Sequence, residues 1–416
     1  MQLPTGLLDT CKKVRPAQLF FWGLCGFEVL ALLIVLFTRG AALSDLLFSS
    51  HTDAFMDYYH SVLAFADHAP GQIYEEVVLF YPPLATLFYL FMYRMVPVEA
   101  ITDNDHFTAR GEQAIAIPFV LLTVLTSVVV CALLYAMRRG DGKNRILLTA
   151  AILLSYPMLY QFARGNIIVI SLLFTLLFFY LKDSPVRWQR EAALICLAVA
   201  AGLKIYPALF GLVLLFEKRW KDAGRCVFYG LLLFFLPAIP FGWHPLDMLH
   251  SLNSYVGDLS KEGFGYKVNF SNTIAYLCSC LHIYCHPTAS GIIGWALGLV
   301  TLGCGLVQRR NDRRLLAMAI FIAAVPRFSY VYVLLFLLIP LLAFFNETDT
   351  GERKPVDLVY AILLLGCFAP FPFSSTPYYI WVPYPFTCTV QIESYCLLLL
   401  ACCLIAEGCI TIVRFF

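Results

Sequence analysis

Asp53 and Asp57 stand four residues apart in the stretch HTDAFMDYYHS, a spacing that puts both carboxylates on one face of a helical turn. Neighbouring carboxylates raise one another's proton affinity, which is one way to make a base able to take a hydroxyl proton near neutral pH. Three cations form the natural counterpart. Arg164, Lys204 and Arg327 each sit at a break between two apolar runs, beside a polar or ring-bearing neighbour: Asn166, Tyr206 and Tyr330. A guanidinium at bilayer depth costs roughly 2.5–3.5 kcal/mol on insertion scales, so such residues usually face a partner or a wet cavity. A single cation near a helix end is most often a snorkelling residue. Three at equivalent tips point instead to a shared anionic ligand.

The elements that carry these residues are membrane helices. Of 416 residues, 60% are hydrophobic and 13% charged, against about 25% charged in soluble domains. The net charge of +2 is scattered between apolar runs and offers no patch for nucleic acid. The run Leu19 to Phe37 follows Lys12, Lys13 and Arg15, is long enough to span, and has no small-residue cleavage site after it, so a retained first helix is expected. About twelve apolar segments follow one another, near 18–37, 114–137, 146–162, 167–181, 191–203, 205–216, 226–243, 287–307, 315–326, 328–345, 356–371 and 389–413. With the N-terminus inside, all but eight of the 29 Lys and Arg fall on the inner side, in clusters such as MRRGDGKNR, EKRWKDAGR and QRRNDRR. That bias places both termini in the cytoplasm and the three cations at outer tips. The runs flanking Lys204 fall short of the roughly 20 residues that cross a bilayer, so their junction should lie below the outer surface in a protein-lined cavity. Pro207 and Pro326 reinforce two of the breaks.

Two long outer segments face the cations. The first, 40–113, holds ten of the chain's 27 acids, and within it FYPPLATLFYLFMYRMVP is too short for a full crossing and reads as an interfacial or re-entrant helix. It would press the acidic loop against the membrane near the cations. The second, 242–287, carries Trp243, His244, Asp247, His250, Asn269 and Asn272 and could close over the same cavity. The expected architecture is an all-α polytopic membrane protein of about twelve transmembrane or re-entrant helices with two large outer loops, forming one domain over 1–416. Cys278, Cys280, His282, Cys285 and His286 have ligand types that suit zinc but not its usual pairing, so a short disulfide such as Cys280 to Cys285, or unpaired thiols, is the better reading.

The order D…DYYHS, GQIY, YPPL, RGN, GLKIYPALFGLVLLFEKRW and PRFSYVY resembles glycosyltransferase family 87 over nearly the whole chain, with YPPL and LKIYPALF its specific parts. That family holds polytopic GT-C enzymes, among them polyprenyl-phosphate-mannose-dependent mannosyltransferases and an arabinofuranosyltransferase of cell-envelope assembly. The resemblance maps the family's catalytic base onto Asp57 or Asp53, with Asp57 first because it directly precedes Tyr58 and Tyr59. The chain departs from better-studied members after the late proline, where it reads Arg327-Phe328-Ser329-Tyr330 and has no histidine, and in RGN; both departures point to a bacterial subgroup. The resemblance implies a polyprenyl-phosphate sugar donor, with mannose the expected sugar, and a glycolipid or glycan acceptor. Its donor phosphate would lie on Arg164, Lys204 and Arg327. Inversion would follow attack by the acceptor hydroxyl, with Tyr58, Tyr59, Tyr81, Asn166, Tyr206 and Tyr330 lining the site on the outer face of a bacterial inner membrane. A monophosphate leaving group can be neutralised by side chains, so no cofactor or metal is expected. The alternative is a transporter or flippase of lipid-linked sugars, because broken helices with buried charge also mark a substrate path.

Overall fold

The computed structural model describes residues 15–48, 54–74, 79–97, 113–140, 142–242, 248–251, 267–350, 354–372 and 388–414. Among these the chain is α-helical, and the one β feature is an isolated bridge between Lys267 and Tyr330. The helices in order are α1 (Pro16–Phe37), α2 (Ala41–Leu47), α3 (Met56–Asp67), α4 (Pro83–Met95), α5 (Gln113–Met137), α6 (Gly142–Leu154), α7 (Tyr156–Arg164), α8 (Ile168–Leu181), α9 (Arg187–Leu203), α10 (Leu212–Phe216) and α11 (Trp220–Phe235). They continue with α12 (Phe270–Cys280), α13 (Pro287–Leu306), α14 (Asn311–Ala324), α15 (Leu338–Thr350), α16 (Pro355–Gly366) and α17 (Cys388–Val413). Tighter 3₁₀ turns at Tyr206–Gly211, Leu236–Phe241 and Val331–Leu337 join several of them. Among the described residues six elements are long and apolar enough to cross a membrane, or seven if α6 and α7, bent by 45° at Ser155, count as one. Each of the twelve apolar runs holds a helix. Several begin earlier than apolarity alone marks: α9 starts at Arg187, α11 at Trp220 and α14 at Asn311. A charged first turn at a hydrated interface does not break a helix, so hydropathy cuts these helices short.

The chain divides into two compact units. The first comprises Met1–Ser49, Leu134–Tyr160 and Glu262–Phe416. Its middle is α14, which packs on α13, α15, α17 and the Val331–Leu337 turn. Ala317, Met318 and Ala319 on that helix and Leu334 to Leu338 beyond it are fully buried. α1 packs against α6, α15 and α16, with Phe20 edge-on to Phe345 and Phe368. A helix pinned on every side by aliphatic side chains is a rigid base for the polar turns at its two ends.

The second unit comprises Ser50–Leu133 and Gln161–Lys261. The hairpin of α8 and α9 is its spine, and α9 also receives α11 and α4. Helix α4 begins at Pro83, whose fixed φ suits a first helical position. Its 13 residues reach about 20 Å at 1.5 Å per residue, short of roughly 30 Å of hydrocarbon. It buries Ala85, Thr86, Tyr89 and Met92 and leaves Phe91 and Met95 exposed, the two-faced pattern of a helix lying against a larger body. Beneath it runs α3, which buries Tyr58, Tyr59, Val62 and Leu63.

Candidate active site

Asp57 lies in the first turn of α3, where unsatisfied backbone N–H groups favour a negative charge. The turn into α3 is unusual: Phe55, its N-cap, is in the left-handed region at φ 54, which a bulky residue adopts only when its surroundings hold it there. The hold is visible, because the Phe55 N–H donates to the Ala163 carbonyl at 2.8 Å and so ties the start of α3 to the end of α7. Gly165 meets the same contact from the other side. It sits at φ +64, and a Cβ placed on it would lie 2.9 Å from Tyr58 Cβ. Only glycine allows both the left-handed turn and this approach.

The turn presents the residues on either side of Gly165 to Asp57. Arg164 Nη2 donates to Asp57 Oδ1 at 2.6 Å, and Asn166 Nδ2 donates to Asp57 Oδ2 at 2.6 Å. Asn166 is fully buried, and its Oδ1 accepts the Ile168 N–H at 3.0 Å, which fixes its amide and caps the start of α8. The side chains of Asp57 and Arg164 are only 12% and 13% exposed. RGN is thus one device: an arginine and an asparagine that grip both oxygens of one carboxylate, separated by the glycine that lets them turn.

Lys204 lies at the next break. Helix α9 ends at Leu203, Lys204 itself is extended, and Pro207 opens the turn that follows. The Lys204 ammonium is buried and sits 4.4 Å from the centre of the Tyr81 ring, a cation–π contact. Tyr81 stacks on Phe80, and its carbonyl accepts the Tyr74 hydroxyl at 2.9 Å. Asp57 lies near enough to Lys204, the half-buried Tyr206 and the buried Tyr89 for its charge to bear on them. Hydrogen bonds join Asp57 to Arg164 and Asn166, and Lys204 with Tyr81 stands in the same unit.

A family model of glycosyltransferase family 87 matches residues 79–340, more than half of the chain. The chain belongs to glycosyltransferase family 87. It is accordingly a membrane glycosyltransferase. No curated protein and no solved structure matches it. The family 87 match takes in RGN, the Lys204 turn and Arg327, but it begins after Asp57. Asp57 is connected to the matched region by structure, through Arg164 and Asn166.

The remaining expected residues divide. Tyr58 is fully buried, with its hydroxyl on the Ile115 carbonyl at 2.9 Å and its ring stacked on Phe119, so it packs α3 onto α5. Tyr59 is buried beside it. Asp53, Trp243, His244 and Asp247 lie outside the described residues. So do Asp103 and Asp105, an Asp-x-Asp pair of the kind that carries metal-bound diphosphates, which the expectation of no metal passed over. Arg327 and Tyr330 belong to the first unit. There the Arg327 carbonyl accepts from Asn269 Nδ2 at 2.8 Å, and its guanidinium lies over Gly291, where a Cβ would come within 2.8 Å of Nη2. Lys267 is buried, bridges to Tyr330 and lies near the Phe328 and Tyr330 rings. The sequence carries no local signal for this placement of Lys267, because its partners Phe328 and Tyr330 lie more than sixty residues away. In the cysteine cluster Cys278, Cys280 and Cys285 are free thiols, and His286 Nδ1 accepts the Thr288 N–H at the start of α13. Among the described residues no three His, Cys, Asp or Glu side chains are grouped to hold a metal.

Proposed function

We propose that the protein transfers a sugar, mannose being the first candidate, from a polyprenyl-phosphate donor to a glycolipid or glycan acceptor at the outer face of a bacterial inner membrane, with Asp57 as the base. The observation that carries this reading is the gripping of both Asp57 oxygens by Arg164 and Asn166 beside the buried Lys204. A carboxylate held in this way has a fixed direction, and a hydroxyl entering beside it finds an acceptor for its proton.

The acceptor oxygen bonds to the anomeric carbon from the face opposite the phosphate, its proton passes to Asp57, and the bond from the anomeric carbon to phosphate oxygen breaks with its electron pair on the phosphate. Inversion follows from that geometry. The leaving phosphate gains a negative charge, and fixed cations in a poorly hydrated site stabilise developing charge more than water does. Arg164 offers a guanidinium fork suited to phosphate, and Lys204 offers a point charge. Tyr81 and Tyr206 provide ring faces and hydroxyls for the sugar. Arg327 belongs to the first unit, and this step gives it no part.

The test is a donor panel on purified, reconstituted protein: polyprenyl-phosphate mannose, glucose and arabinose offered side by side with nucleotide sugars. Transfer from one of the lipid phosphates, with the anomeric configuration inverted, is expected. Transfer from nucleotide sugars alone would overturn the donor class, and movement of the lipid-linked sugar across the bilayer without transfer would favour a flippase.

A further inference from the structure

Tyr89 stands beside Asp57, and the transfer step uses none of its atoms. It is fully buried on α4, where that helix packs on α3. The centre of its ring lies 5.2 Å from that of Tyr81, the ring that carries the Lys204 ammonium. Its side chain faces the first turns of α3: the Asp57 charge bears on it, and the Ser61 and Tyr81 hydroxyls are close by. Yet the Tyr89 hydroxyl makes no hydrogen bond. Ser61 cannot donate to it, because Ser61 Oγ gives its proton to the Asp57 carbonyl at 2.7 Å. A buried hydroxyl without a partner is uncommon, since it has given up water and gained nothing in exchange. Phenylalanine would fill the same space without that cost, so the hydroxyl points to a partner met in another state of the site.

The acid next to it is such a partner. In the ligand-free protein Arg164 holds Asp57 Oδ1 and Asn166 holds Oδ2. Transfer as read above turns the Arg164 guanidinium towards the donor phosphate, and the present inference rests on that reading. Oδ1 then loses its donor, in a place where the Asp57 side chain is only 12% exposed and water is scarce. Asn166 cannot cover the loss, because its amide is fixed by the Ile168 N–H and already serves Oδ2. We propose that Tyr89 is a positioning residue whose hydroxyl donates to Asp57 Oδ1 once Arg164 engages phosphate, and so keeps the carboxylate aimed at the acceptor. Tyr89 touches neither sugar nor phosphate and acts through Asp57. Its proton stays on its own oxygen throughout, while the acceptor's proton goes to Asp57.

Two measurements on the full-length protein test this, one of them without any sugar. Tyr89→Phe removes only the unbonded hydroxyl, so the ligand-free melting temperature should hold or rise. Tyr58→Phe is the contrast: its hydroxyl bonds to the Ile115 carbonyl, and its loss should lower the melting temperature. In an Arg164→Met background Oδ1 has already lost its cation, Tyr89 has become its donor, and adding Tyr89→Phe should lower the melting temperature by several degrees. Arg164→Gln provides the background if Arg164→Met does not fold. In single-turnover transfer from polyprenyl-phosphate mannose, Tyr89→Phe should bind donor within about twofold of wild type and react roughly 10- to 100-fold more slowly, the share of one hydrogen bond to a charged group. Transfer at the wild-type rate, or a melting shift for Tyr89→Phe that is the same with and without Arg164, would overturn the proposal. Failure of Asp57 as the base would show separately, as full transfer by Asp57→Asn, and the melting shifts would still decide whether Tyr89 meets the carboxylate.

Discussion

Arg164 has the partner that its cost demands, and the partner is Asp57. The residue types were legible in the sequence: a cation inside an apolar run and an acid pair ahead of two tyrosines. Their pairing was not, because 107 residues separate the two and nothing local reports it. Sequence reasoning aimed Arg164 at a phosphate, which would make it a costly unpaired cation in the ligand-free protein, one whose removal should not destabilise it. With the ion pair in view the expectation reverses. Arg164→Met leaves a mostly buried carboxylate still bonded to Asn166 but without its cation, and breaking such a pair costs about 3–5 kcal/mol. A fall of several degrees in melting temperature is expected for Arg164→Met, with much of it recovered in the double variant Asp57→Asn, Arg164→Met. A thermal-melt double-mutant cycle measures this coupling, and additive losses would mean that the pair does not form. Lys204→Met should behave differently: lower donor affinity by roughly one to two decades, from one lost charge-assisted contact, read by donor titration against Arg39→Gln as an outer-side control.

At the scale of elements, the twelve apolar runs were legible because membrane helices announce themselves by composition. Their charged first turns were not, because Arg187 and Arg190 belong to α9 yet fall outside the apolar run 191–203. The left-handed turn at Phe55 was also hidden, since it is held by a hydrogen bond to Ala163, more than a hundred residues away; the bend at Ser155 had a local signal in Pro157. Gly165 is the position where element geometry and site geometry meet. Gly165→Ala would impose roughly 1–2 kcal/mol of left-handed strain as well as a clash with Tyr58. It should lower both melting temperature and transferase activity, because Arg164 and Asn166 would lose their shared turn. Gly224→Ala is the matched control: nothing lies within 4 Å of a Cβ there, and inside α11 alanine is the better helix former. If Gly165→Ala melts and turns over like Gly224→Ala, the turn is not what builds the site.

For the whole molecule, the sequence made class, family and approximate helix order readable, while the division into two compact units has no signature in composition. The orientation expected from the charge bias has its own test. On a background without native cysteines, Ala69→Cys should react with an impermeant maleimide in intact cells, and Gly142→Cys only after permeabilisation; the opposite pattern would reverse the side on which the Asp57 group faces solvent. The central claim is that a glycosyltransferase family 87 protein uses Asp57 to take the acceptor's proton. The most direct measurement compares wild type and Asp57→Asn for donor binding and for single-turnover sugar transfer in the same reconstituted preparation. The account predicts that the variant binds donor within a few-fold of wild type while transfer slows by roughly 10² to 10⁴, the usual share of a general base. Transfer at the wild-type rate by Asp57→Asn would contradict it.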